Sequence, residues 1–143
     1  MLAAAVAAAG DQTRCGILAV TVLTSLTAAE VAESWGRPPE LVVSTAEVLR
    51  LSALAAASGA HGIVCSGQEA AAVRSKFGSD LALLIPGVRP AGSAAQDQAR
   101  VVTPRQAVDA GATYLVLGRA VTGAPDPAEA MDRINAEIAA AAR

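Results

Sequence analysis

One feature constrains this chain more than any other: four short aliphatic runs alternate with segments built to be helices. The runs fall at residues 17–23, 62–65, 81–85 and 113–117, and they are made of Val, Leu, Ile, Ala and Cys with few polar interruptions. Runs of four to seven apolar residues without alternation suit strands buried on both faces, as in a parallel sheet. Strands separated by helices imply right-handed crossovers and an α/β fold.

Helix signals fill the intervals. Thr27 and Glu30 form a capping box that opens a short helix, and Arg37-Pro38-Pro39 ends it. Ser44 and Glu47 repeat the box and open a helix to about Ser58. A helix over 68–77 closes at Gly78. Thr103 is an N-cap with Pro104 at the first helical position, and that helix ends at Gly111. Asp126, Pro127 and Glu129 start a last helix running toward Arg143. Residues 1–9 form an alanine-rich helix end stopped at Gly10, and their upstream partner strand is expected to be missing. Residues 86–102 read as a long loop carrying Pro86, Gly87, Pro90 and Gly92. Loops of that length in compact domains are usually functional.

Composition narrows the function. With 143 residues the chain suits one domain, and its 53% hydrophobic content includes just one Phe, one Tyr and one Trp, so the core must be aliphatic. Net charge is −2, Lys76 is the sole lysine and ten arginines are scattered, which argues against a nucleic-acid partner. Residues 1–9 lack a basic start and are far shorter than the ~20 residues of a membrane span, so a cytoplasmic protein without membrane contact is expected. Cys15 and Cys65 read as two buried, reduced thiols in apolar surroundings. His61 precedes a strand and reads as a structural or surface histidine. Lys76 lies late on a polar helix face and reads as a solvated charge. Among these residues there is no Ser-His-Asp set, metal-ligand cluster or glycine-rich P-loop.

Ligands of parallel α/β folds bind at the carboxyl ends of strands. After the first run come Thr24-Ser25, after the second Ser66, after the third Pro86-Gly87-Val88-Arg89-Pro90, and after the fourth Gly118-Arg119. Hydroxyls, glycines and arginines thus share one rim. Gly118 would let backbone N–H groups approach an anion, and Arg119 adds a fork matching phosphate geometry. Arg89 sits between two prolines and is either an exposed loop arginine or an anion ligand.

Taken in order, Ala19-Val20-Thr21-Val22-Leu23-Thr24-Ser25, Gly62-Ile63-Val64-Cys65-Ser66, Pro86-Gly87-Val88-Arg89-Pro90 with Gly92-Ser93 and Asp97-Gln98, Val102-Thr103-Pro104, Tyr114-Leu115-Val116-Leu117-Gly118-Arg119 and Ile134-Asn135 resemble the bacterial orotidine 5′-phosphate decarboxylases. The resemblance runs from about Cys15 to Ile138. It implies a (β/α)8 TIM barrel, usually a homodimer, that converts orotidine 5′-monophosphate to UMP and carbon dioxide without metal or cofactor. Carried over by position, Thr24 would contact the pyrimidine ring. Gln98 and Arg119 would hold the 5′-phosphate, Gly118 would offer backbone, and Arg89 would line the phosphate end, with Ser66 as a neighbour.

A complete barrel takes ~250 residues, so the whole chain, 1–143, is expected to be a C-terminal portion with about four parallel strands equivalent to strands five to eight. The family's catalytic Asp-Lys and Asp residues, and its ribose-binding aspartate, belong to earlier strands. No catalytic residue is therefore expected in this chain. Either it serves a decarboxylase, as a homodimer or with a complementing N-terminal half, or it is a non-catalytic nucleotide- or phosphate-binding half-barrel. A barrel acting on sugar phosphates fits the Pro-Gly-Val-Arg-Pro and Asp97-Gln98 elements less well.

Overall fold

The computed structural model describes residues 1–11, 14–90 and 100–140. Four parallel strands, β1 (Leu18–Val20), β2 (Gly62–Val64), β3 (Ala82–Ile85) and β4 (Tyr114–Leu115), pair in chain order. Helices α1 (Leu2–Ala9), α2 (Ala28–Ser34), α3 (Ser44–Ala57), α4 (Gly67–Phe77), α5 (Pro104–Asp109), α6 (Arg119–Thr122) and α7 (Pro127–Ala139) accompany the strands, with a 3-10 turn at Pro39–Leu41. The expected α/β architecture of a partial barrel is what the chain forms.

The pleat gives the sheet two unlike faces. Ala19, Ile63 and Leu83 stand in one register row, with Ile85 beyond, and Ile63, Leu83 and Ile85 are completely buried. That face meets the core, which includes Val48 of α3 and Ala70 and Val73 of α4. Burying one such side chain stabilises the fold by ~1.5–3 kcal/mol. The other face carries the row Val20, Val64, Leu84 and Tyr114, of which Val20 is 59% and Tyr114 47% exposed. Gly62 permits the close approach of β2 to β3, since a Cβ there would strike the Ala82 carbonyl oxygen.

Local chemistry explains the helix ends. The Thr27–Glu30 box forms as the sequence suggests, with Thr27 N donating to Glu30 Oε2 at 2.8 Å. Thr103 and Gln106 make another at α5, and Asp126 accepts from the backbone of Ala128 and Glu129 at α7. Helix α2 stops before the prolines, because Gly36 turns left-handed at φ 62.

Several expectations need correction. The Ser44–Glu47 box does not form: α3 starts from Val43 without a side-chain cap. The Glu47 carboxylate pairs instead with Arg37 at 2.5 Å and Arg50 at 2.8 Å. Cys15 is exposed, because it precedes the first strand pairing rather than lying within it, whereas Cys65 is fully buried. The first strand is shorter than the run 17–23. Ladder hydrogen bonds reach from Ile17 O to Thr21 N, after which the Val22 and Leu23 carbonyls turn to another partner. Helix α6 was not anticipated, since four residues carry no readable period.

Candidate functional site

The loop after β3 is anchored at both described roots. Gly87 takes φ 71, a left-handed turn that favours glycine. Arg89 N donates to Val102 O at 3.0 Å and Val102 N to Gly87 O at 3.4 Å, so the chain returns alongside its own exit. Gly92, Ser93, Asp97 and Gln98 lie outside the described residues.

Thr24, Ser66, Arg89 and Gly118-Arg119 all follow the carboxyl ends of their strands, on one edge of the sheet. Adjacent strands are ~4.8 Å apart, so Thr24 beyond β1 and Arg119 beyond β4 bracket a rim on the order of 14 Å across. Thr24 is buried. Arg89 is 7% exposed, which removes the reading of it as a solvated loop residue, and its Nη1 donates to Val88 O at 2.8 Å. Gly118 is the residue before α6, Arg119 its first residue, and both are exposed. A Cβ built on Gly118 meets nothing within 4 Å, so the space there is open. Ser66 is fully buried, and its hydroxyl caps α4 by accepting from Gln68 N at 3.2 Å.

Sequence reasoning missed Glu69 and Arg100. Both are buried, and Arg100 Nη1 pairs with Glu69 Oε1. Arg100 Nη2 donates to Leu23 O at 3.0 Å and Val22 O at 3.4 Å. Ser66-Gly67-Gln68-Glu69 has the spacing of a capping box, which masks the carboxylate's real partner. Cys65 lies beside this pair. Burial, and then the Glu69 carboxylate, push its thiol up to about 12 against the opposing charges of Arg100 and Arg74. A thiol held neutral is a poor nucleophile.

The remaining candidates sit elsewhere. His61 is exposed at the amino end of β2 and lines an open cleft of about 520 Å3 with Arg74, Asp80, Thr113 and Tyr114. That cleft lies at the sheet end opposite the rim. Arg74 is engaged there, donating to Gly111 O, Leu81 O and Thr113 Oγ1. Lys76 is exposed in the last turn of α4, its Nζ 5.6 Å from the Phe77 ring centre. Among the described residues no three His, Cys, Asp or Glu side chains are grouped to hold a metal, and no helix is long and apolar enough to cross a membrane.

Four parallel strands in chain order, wrapped on one face by helices, define part of a β/α barrel. The family model described as orotidine 5′-phosphate decarboxylase / HUMPS family matches residues 1–134, and the chain belongs to that family. It is 52% identical over 140 residues to an orotidine 5′-phosphate decarboxylase of Halorhodospira halophila, covering 97% of this chain and 57% of that protein. It is 53% identical over 139 residues to an orotidine 5′-phosphate decarboxylase of Anaeromyxobacter sp. (strain K), covering 96% and 58%. Among solved structures, the orotidine 5′-phosphate decarboxylase of Lactobacillus acidophilus matches with a TM-score of 0.69 at 32% identity, covering 86% of this chain and 49% of that one. The chain therefore spans about half the length of the relatives it matches.

Proposed function

We propose that this chain, taken whole over 1–143, supplies the phosphate- and pyrimidine-gripping half of an orotidine 5′-phosphate decarboxylase. It would act in the cytoplasm, in the last step of UMP formation. The observation that carries this reading is the rim: open space at Gly118 with Arg119 beside it, buried Arg89 one strand over, and Thr24 at the far end. Family membership supports the substrate, orotidine 5′-monophosphate, and the product, UMP.

Each residue has a physical role in this reading. Thr24 meets the pyrimidine ring. Arg119 and Gln98 hold the 5′-phosphate, Gly118 lends backbone N–H groups, and Arg89 lines the phosphate end. A remote phosphate grip provides binding energy that can be used to stabilise the transition state at the ring. Charge preorganised around the departing carboxylate must come from other residues. Lys76, the chain's single lysine, faces solvent on a helix away from the rim and does not qualify as the proton donor. The chain thus needs the groups that the relatives carry outside the matched portion, from a complementing N-terminal half. A homodimer is the other assembly expected from the family resemblance. The row Val20, Val64, Leu84 and Tyr114 and, among the described residues, the edge strands β1 and β4 offer the surface for such a partner. Alone, the chain is a non-catalytic nucleotide binder.

The test is the ultraviolet absorbance loss of orotidine 5′-monophosphate with the purified chain, alone and mixed with the unmatched N-terminal portion of the Halorhodospira halophila relative. Calorimetry of UMP binding runs in parallel. UMP binding without turnover by the chain alone, and turnover by the mixture that Arg119→Ala abolishes, is the expected result. Turnover by the chain alone, or no UMP binding at all, would overturn the reading.

A further inference from the structure

The buried Glu69–Arg100 pair has no part in the grip just described, yet it stands at the meeting point of three strand exits. Glu69 belongs to the first turn of α4, directly after β2. Val22 and Leu23 follow β1. Arg100 lies on the return arm of the loop that leaves β3. One guanidinium joins all three, through Glu69 Oε1, Leu23 O and Val22 O.

We propose that Glu69 and Arg100 are positioning residues that lock the return arm of the phosphate loop onto the β1 exit. Arg100 comes two residues after Gln98, and Leu23 immediately precedes Thr24. The lock therefore holds the described end of the return arm, from Arg100 to Val102, against the strand exit that carries Thr24. This inference rests on the nucleotide-binding role proposed for the rim.

Two observations support the lock. The return arm is seated on α4 at a second point, since a Cβ on Gly67 would strike the side chain of Val102. A glycine at the first helical position thus lets the arm pack down. The pair is also an expensive choice for a purely structural role. Buried ion pairs are often no more stabilising than apolar packing of equal volume, and here Glu69 Oε2 and Arg100 Nε have no hydrogen-bond partner among the described residues. A directional fork that reaches two backbone carbonyls gives geometry that apolar packing cannot.

The experiment separates geometry from stability. Glu69→Leu and Arg100→Met each strand a buried charge and should lower Tm, while the double variant removes both charges and should recover most of it. With Tm recovered, the double variant is expected to bind UMP at least tenfold more weakly. Its Arg89 and Val102 amides should exchange hydrogen at least tenfold faster, with the Leu83 and Cys65 amides unchanged. Arg100→Lys covers the case in which the double variant does not fold. It keeps the charge opposite Glu69 but loses the fork to Leu23 and Val22, and should show the same two losses in smaller degree. Wild-type affinity and wild-type exchange in the double variant, or in Arg100→Lys, would overturn the lock. If the wild-type chain binds no UMP, the nucleotide reading fails, and the exchange rates alone then decide whether the lock exists.

Discussion

Arg119 is exposed beyond the last strand, so truncating it removes little packing. Surface substitutions of this kind usually change stability by less than ~0.5 kcal/mol. Arg119→Ala should weaken UMP binding tenfold or more, by calorimetry at fixed ionic strength, with Tm measured alongside to separate binding from folding. Arg119→Lys should restore only part of the affinity, because an ammonium lacks the planar fork. Equal Tm with unchanged affinity would remove Arg119 from the phosphate grip. Cys65 gives a residue-scale test of the interior. Its folded pKa, about 12, lies above the ordinary 9.0. Burying the neutral thiol thus contributes stability that is complete below pH 9 and is lost as pH rises through 12. Urea-unfolding stability should fall by up to about 1.4 kcal/mol per pH unit across that window, and less steeply in Cys65→Ala. A thiol reagent should modify exposed Cys15 at once and Cys65 only after unfolding. The position of Thr24, Arg89 and Arg119 at strand exits was legible in the sequence because each follows an aliphatic run. Glu69 and Arg100 were not, since 31 positions separate them and Glu69 sits at capping-box spacing from Ser66.

Helix boundaries were legible wherever the cap residue had no stronger partner nearby. Thr27, Thr103 and Asp126 cap as their spacing suggests. The Ser44–Glu47 pattern looks the same in one dimension, but Arg37 and Arg50 capture the carboxylate, and charged donors outcompete a neutral backbone N–H. That three-residue network ties the segment after α2 to α3, and Arg37 also donates to Leu41 O at 3.0 Å. The Arg50 hydrogen bond, then that of Arg37, holds the Glu47 carboxyl below its ordinary 4.5, against burial. The network's stabilisation is thus present above pH 4.5 and is lost as pH falls through the lowered value. Glu47→Gln should flatten the acid limb of a stability–pH curve and lower Tm near neutrality. An unchanged acid limb would mean that the network is a surface ornament. Strand positions were readable as aliphatic runs, whereas strand lengths were not. β1 ends where Arg100 takes over the carbonyls of Val22 and Leu23, a tertiary event that no local pattern encodes.

At the scale of the molecule, the two faces of the sheet make opposite demands. Leu83 is completely buried on the helix-covered face, so Leu83→Ala should cost ~2–5 kcal/mol in denaturant unfolding. Val20, 59% exposed on the other face, should tolerate change in the isolated chain. Barrel interiors are filled by layers of branched aliphatic side chains, and Val20, Val64 and Leu84 of this row have that character with no layer covering Val20 among the described residues. Among the described residues β1 and β4 are the edge strands of the sheet, and an open parallel edge invites another strand. The isolated chain is therefore expected to associate at micromolar concentration, and Val20→Lys to shift it toward monomer by sedimentation velocity with Tm unchanged. The same substitution should block turnover in the mixture with the N-terminal portion, because a lysine placed in the joined interior would be buried without a partner. A monomeric wild-type chain, with Val20→Lys still supporting turnover in the mixture, would show that the open face is not where the N-terminal portion of the relative docks.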